Sequence, residues 1–324
     1  MSSNYEFAIS KIQEGFVILI GDDDGLLPSA LKDINDIINR ENVLAIASSP
    51  VIYYWPGGSP YENLLMIPNV KASVKLRKSA IFLKKILKGD LHYAELPMLY
   101  TGGVVHSSLI EKAKNGGQKF YRSFTPDVYS GIAIASVASE YIKVENPFAI
   151  SGLSKYSNGQ SQLGSSSDTS IAKTFFDEND IPFFQLLGDG RVKSLQLLTL
   201  EAYLQCGFLR KKERVDMNQQ FEVAVAKAPR NLRREIRCYL NLNCDFDPDL
   251  LSMSQFRINL LQMKFSTIDL IQSAERFIKW DIIFVGNGIC NVYEAAEFIG
   301  KMNRRLVMRL TYRFNLIKVY FKSP

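Results

Sequence analysis

Apolar positions along this chain fall into short blocks, and their spacing changes character near residue 190. Phe16-Val17-Ile18-Leu19-Ile20 is an unbroken apolar run. A run of that length, closed by turn residues, predicts a buried strand of a parallel sheet. Val43–Ala47, Val51–Trp55 and Tyr141–Val144 predict further strands. Leu27, Leu31, Ile34, Ile37 and Ile38 recur at helical spacing and predict a helix over Leu26–Asn39. Helices are also predicted over Met1–Gln13, Ser79–Leu87, Ser107–Lys114 and Pro126–Val137. Asn115-Gly116-Gly117 tolerates the left-handed dihedrals that end a helix, and Pro126 suits a first turn. Later the pattern is almost wholly helical: Val192–Leu209, Val215–Ala228, Asn231–Leu242, Met253–Met263, Thr267–Phe277 and Val292–Met302. Between the two regimes, Ser154–Ser170 is rich in Ser, Gly, Asn and Gln and reads as a linker or mobile loop. The expected organisation is an α/β unit over 1–153, that loop over 154–170, and a mainly helical domain over 171–324.

Composition narrows the class. A chain of 324 residues with 47% hydrophobic content and mean hydropathy of −0.04 has the balance of a globular protein. No apolar run is long enough to span a bilayer. The N-terminus lacks the basic and apolar regions of a secretory signal, so cytoplasmic residence is the expectation. Net charge of +6 suits anionic partners but is modest for a nucleic-acid binder. Cys206, Cys238, Cys244 and Cys290 have no zinc-site spacing and read as buried free thiols.

The densest chemistry is Gly21-Asp22-Asp23-Asp24-Gly25, directly after the first apolar run. Ligands of parallel sheets bind beyond the carboxyl ends of the strands. Three adjacent carboxylates there repel one another unless a cation sits among them. Hard oxygen donors suit Mg²⁺ or Mn²⁺, shared with substrate phosphates. The plain alternative is an acidic turn that caps the following helix. Asp127, after Pro126, is either a first-turn helix residue or a general base. His106 near a strand end could meet a ligand or serve the fold. Tyr53, Tyr54 and Trp55 must point to both faces of a strand, and Trp55, beside Pro56-Gly57-Gly58, is the one best placed to stack on a ligand.

Four segments in order carry a resemblance. They are Asn4–Ser10 through Gly21–Pro28, Leu96–Gly103, Ser123–Ser130 and Ser151–Gly159. Together they resemble a family-2 glycosyltransferase with the GT-A fold over about the first half of the chain. The resemblance implies sugar transfer from a nucleotide-sugar donor to a glycan or lipid-linked acceptor, inverting and metal-dependent. It implies Asp23 and Asp24 on Mg²⁺ or Mn²⁺, with Asp22 a further ligand or facing the donor ribose, although the run fits the family pattern in more than one register. It makes Asp127 the catalytic base. It places Lys155 and Ser157 over the donor diphosphate, and Trp55, His106 and Tyr156 on the substrates.

Two features depart from the family. Only fifteen residues precede the first strand, where the family has several βα units that hold the nucleotide. The family's Glu-Asp pair is Pro126-Asp127 here. The expected fold is therefore a truncated, Rossmann-like GT-A sheet, prone to self-association or completed by a partner polypeptide that supplies the missing strands. The alternative is a non-catalytic partner protein that retains the fold. A metal-dependent phosphohydrolase would need a further ligand cluster or nucleophile that the sequence lacks. At the C-terminus, Leu306, Leu310, Phe314, Ile317 and Phe321 recur at helical spacing among arginines and lysines. That pattern suits contact with the inner membrane surface, or a terminal helix docked on its own domain.

Overall fold

The computed structural model describes residues 2–57, 62–68, 73–116, 119–154, 181–188, 194–210, 215–243, 253–285 and 288–302. Lys155, Tyr156, Ser157 and the basic C-terminal stretch lie outside them. The fold is α/β, with two mixed five-stranded sheets followed by a mainly helical region.

The strands are β1 Phe16–Val17, β2 Gly25–Leu26, β3 Ala45–Ser48, β4 Val51–Tyr54, β5 Leu64–Pro68, β6 Val74–Lys78, β7 Gly103–His106, β8 Glu140–Val144, β9 Ala149–Leu153 and β10 Trp280–Phe284. The first sheet has the order β1-β7-β3-β8-β6, and the second β10-β5-β4-β9-β2. Each sheet contains one parallel pair, β3 with β8 and β4 with β9. Both segments of the pair bend and pass from the first sheet into the second, β3 to β4 through Ser49-Pro50 and β8 to β9 through residues 145–148. The Ser48 hydroxyl donates to the Asn146 carbonyl at 2.8 Å and ties the two bends together.

The central strands are fully covered because both faces are apolar. Ala45, Ala47 and Tyr141 enter one core, and Ile46, Ile142 and Val144 the other. This is the two-residue alternation of a strand buried on both sides. The helices over these faces are α1 Ser2–Ser10, α2 Ala30–Glu41, α3 Ser79–Leu87, α4 Ser107–Lys114 and α5 Pro126–Val137. Among them α5 is buried nearly all round, as a central helix must be when sheet and helices flank it.

The first apolar run differs from its expectation. Only Phe16 and Val17 form a strand, at the edge of the sheet and antiparallel to β7. Ile20 is exposed. The run is apolar because Val17 packs into one core while Phe16 and Ile18 rest against the other. The outer edge of β1 pairs with no strand among the described residues, the geometry that invites association.

The helical region comprises α6 Leu195–Gln205, α7 Met217–Lys227, α8 Arg233–Asn243, α9 Gln255–Lys279 and α10 Val292–Lys301. The two helices expected over 253–277 are one. The region also returns to the second sheet, where β10 pairs with β5 and α10 packs on β2 and β9. Cys206 is buried as expected, whereas Cys238 and Cys290 are exposed. No described helix is long and apolar enough to cross a membrane.

Glu201, on α6, is fully buried and accepts from the Ser123 hydroxyl and from Gln205 Nε2. Burial pushes its carboxyl up to about 7. The folded state therefore holds this proton more tightly than the unfolded chain between pH 4.5 and about 7. Stability from this group is present at low pH and is lost as pH rises through that window. Glu201→Gln is expected to flatten the loss and to raise stability at pH 8 by about 2 kcal/mol, read by denaturant unfolding at pH 5 and pH 8. A variant less stable than wild type at both values would contradict this.

Candidate functional site

The acidic turn sits where β1 of the first sheet leads into β2 of the second. It faces Gly152 and Ser154, at the carboxyl end of β9, and Trp55, just after β4. The carboxyl ends of the parallel pair β4 and β9 thus meet Asp23 and Asp24, the position a parallel sheet gives to ligands.

The three carboxylates differ in role because they differ in burial. Asp24 is buried. Its Oδ1 accepts from the Gly152 N–H at 2.9 Å, and its Oδ2 accepts from the Gly21 N–H at 2.9 Å and from the Thr101 hydroxyl. Asp24 therefore braces the turn against β9 and against the loop before β7. Asp23 is half-buried, with Oδ2 at 3.4 Å from the Ser154 hydroxyl, and its carbonyl accepts from Trp55 Nε1 at 3.3 Å. Asp22 is exposed.

Gly21 lets this packing stay close. A side-chain carbon there would lie 3.0 Å from Asp24 Oδ2, 3.1 Å from Asp23 Oδ1 and 3.1 Å from the Tyr100 hydroxyl. Three oxygens thus converge on one glycine. Among the described residues no three His, Cys, Asp or Glu side chains form a complete metal cage. One or two carboxylates with open positions for phosphate oxygens are nonetheless the usual protein share of a Mg²⁺ site. The donor set fits a hard divalent ion, with Asp23 and Asp22 the carboxylates less committed to the fold.

Asp127 stands in the first turn of α5, half-buried. Burial pushes its carboxyl pKa up, opposed by hydrogen bonds from the Val128 N–H and the Tyr93 hydroxyl. The latter bond is 3.1 Å long. Tyr93 belongs to a short 3₁₀ turn, Tyr93–Glu95, that a charged network holds in place. Arg77 Nη1 donates to Glu95 Oε2 at 2.6 Å, and Lys143 Nζ lies 3.7 Å from Glu95 Oε1. Burial works against the Glu95 charge, but Lys143 and Arg77 outweigh it and hold the carboxyl below its ordinary value.

Tyr5 links the two acidic centres. Burial first, then the fields of Asp127, Asp24, Asp23 and Asp22, push its hydroxyl well above the ordinary tyrosine pKa. Its ring lies 6.4 Å from that of Tyr100 and 5.7 Å from that of Tyr121. The next residue, Glu6, accepts from the Phe120 and Tyr121 N–H groups at 3.1 and 2.8 Å, which docks α1 beside the Asp127 segment.

The structure thus brings together Asp22, Asp23, Asp24 and Trp55, and the field of Asp127 reaches the same Tyr5 hydroxyl as theirs. It does not bring His106 to them. That residue pairs with Phe16, at the start of β1, and its Nδ1 accepts from the Ser108 N–H at 3.2 Å to cap α4. Lys155, Tyr156 and Ser157 lie just beyond Ser154, outside the described residues. Tyr5, Tyr93, Tyr100 and Thr101 were not singled out from sequence. Their one signal was position, since Tyr5, Tyr100 and Thr101 fall inside segments that carry the family resemblance.

No family model matches this sequence, and neither does any curated protein. Among solved structures the chain is similar to S. aureus TarS residues 1–349 in complex with UDP-GlcNAc. Identity is 12% over 81% of this chain and 70% of that one, with a TM-score of 0.34. A second TarS 1–349 structure gives 12% identity over 88% of this chain and 77% of that one, with a TM-score of 0.32. At this level no residue role is transferred.

Proposed function

We propose that the chain is a glycosyltransferase that moves a sugar from a nucleotide-sugar donor to a hydroxyl of a glycan or lipid-linked acceptor, with inversion. The observation that carries this reading is that two unlike acidic centres both act on the Tyr5 hydroxyl. One is a carboxylate turn at the ends of a parallel strand pair, and the other a single carboxylate with a raised pKa. The order of the resembling segments along the chain agrees with it.

In this reading Asp23, with Asp22 or Asp24, holds Mg²⁺ or Mn²⁺. Such an ion supplies charge neutralisation to a leaving diphosphate. Asp24 fixes the turn, and Trp55 flanks the donor sugar. Asp127 takes the proton from the acceptor hydroxyl. Tyr93 aims the Asp127 carboxylate and stabilises its ionised form. Lys155 and Ser157 contact the diphosphate and Tyr156 the sugar. The basic C-terminal stretch rests on an anionic membrane surface when the acceptor is lipid-linked.

A non-catalytic partner role is the second reading, favoured by the complete set of donors on Asp24, which a purely structural turn would also show. Metal titration separates the two. Calorimetry with Mn²⁺ is expected to show binding by wild type that Asp23→Ala loses while its melting temperature is kept. Asp24→Ala is expected to lose binding and thermal stability together. Equal Mn²⁺ binding by wild type and Asp23→Ala would remove the metal from the proposal. Release of free sugar or transfer product from a panel of nucleotide sugars tests the activity itself.

A further inference from the structure

A cavity of about 270 Å³ lies where the α/β unit meets the helices, and no residue of the acidic turn lines it. It is large enough to hold several waters or a single hexose ring. Tyr93, His92, Gln196, Ala224, Lys227 and Asp269 are among its walls. Ala224 is buried and apolar, whereas His92, Lys227 and Asp269 are exposed and form a polar rim. The buried hydroxyls of Ser194 and Thr199 also belong to the walls, so polar groups lie inside the cavity as well as at its mouth.

The rim carries both signs of charge. Lys227 Nζ donates to the Gly89 carbonyl at 2.6 Å, and Asp269 lies close enough to favour the lysine's charge. An anionic ligand would meet Asp269, and a cationic one Lys227. A neutral ligand with several hydroxyls can instead donate to the carboxylate and accept from the ammonium. The rings of His92 and Tyr93 lie 4.3 Å apart at 33°, adding aromatic surface on which the C–H face of a sugar can rest. These features together suit a neutral, hydroxyl-rich ligand such as a pyranose.

The cavity's place in the fold adds a second constraint. Tyr93 is one of its walls, and the Tyr93 hydroxyl donates to Asp127. An occupant therefore meets the residue that bonds the carboxylate, while Asp127 itself is not among the walls. A sugar in the cavity cannot also present its own hydroxyl to Asp127; the hydroxyl must belong to the neighbouring unit. We infer that this cavity is a subsite for a second sugar residue of the acceptor, so that the acceptor is a glycan of at least two units. Its role as an acceptor subsite rests on the glycosyltransferase reading, whereas sugar binding in the cavity does not.

Two variants probe it in the full chain. Ala224→Leu fills the cavity, and Asp269→Ala removes a rim acceptor from an exposed position with little risk to folding. Titration with maltotriose and with the N-acetylglucosamine trimer, followed by ligand-observed NMR, is expected to show that wild type binds at least one of them. Affinity should fall tenfold or more in Ala224→Leu and about threefold in Asp269→Ala, and inorganic phosphate should not compete. Equal affinity in the three proteins, no binding of either trisaccharide, or displacement by phosphate would overturn the inference. Donor hydrolysis without acceptor should be the same in all three proteins, while KM for a disaccharide acceptor should rise tenfold in Ala224→Leu. If the trisaccharide binds and the variants weaken it but wild type turns over no donor, the cavity stands and the glycosyltransferase reading fails.

Discussion

Gly152→Ala is expected to dislodge the acidic turn and to abolish metal and donor binding together. A Cβ at position 152 would lie 1.8 Å from the Asp23 carbonyl oxygen and 2.5 Å from Trp55 Nε1. The first is a backbone atom, so rotating a side chain cannot relieve the clash. The same glycine's N–H holds Asp24 Oδ1. Moving the turn away therefore breaks the bond that braces Asp24 and leaves a buried carboxylate short of a donor. Overpacking with a lost hydrogen bond to a charged group should cost about 3 kcal/mol. For a chain of 324 residues that is a fall in melting temperature of roughly 4–5 °C. Gly207→Ala is the control, because a side chain there meets nothing within 4 Å. Thermal unfolding and Mn²⁺ calorimetry on both variants would decide. A Gly152→Ala protein that melts with wild type would mean that β9 and the turn do not pack as described.

How much of this arrangement was legible in the sequence depends on where the constraint lies. Helices with one strong apolar stripe or a clear end signal were legible. Ser79–Leu87, Ser107–Lys114 and Pro126–Val137 fall where spacing, glycines and proline place them. Strand β6, Val74–Lys78, was not legible, because it alternates two apolar residues with three basic ones at the sheet edge and buries none of them. Strand β10 lay hidden because Trp280–Phe284 continues directly from a 25-residue helix with no turn residue between them. The pairing partner of Phe16–Val17 was also beyond reach. An apolar run signals burial on two faces, but its direction relative to a neighbour is decided by residues far along the chain, such as Val105 and His106.

The site shows the same division. The acidic turn and Asp127 are local signals and were visible as such. What distinguishes Asp24 from Asp23 is long-range: an N–H from residue 152 and a hydroxyl from residue 101 settle on one carboxylate and not on its neighbour. Tyr93 and Tyr5 acquire meaning only when the fold sets one against Asp127 and the other within the field of both acidic centres.

Asp127→Asn is expected to lower transfer by roughly 10²–10⁴-fold, the usual worth of a general base, and at the same time to stabilise the fold at neutral pH. The two effects share one cause. Burial raises the Asp127 pKa, so the folded protein favours the protonated form. The stability this group contributes is full below the ordinary carboxylate pKa and is lost as pH rises through the raised value. Asparagine carries no charge to desolvate, so the variant should match wild type in acid and exceed it near pH 7. A base must be ionised to act, so wild-type kcat/KM should fall as pH drops through the same raised value. Tyr93→Phe sharpens the test. It removes a donor that favours the ionised form, so the acid limb of the pH profile should move to higher pH while the maximal rate changes less. An Asp127→Asn protein with wild-type activity would leave Asp127 only its place in the first turn of α5. A limb that moved to lower pH in Tyr93→Phe would show that Tyr93 does not hold the carboxylate that titrates.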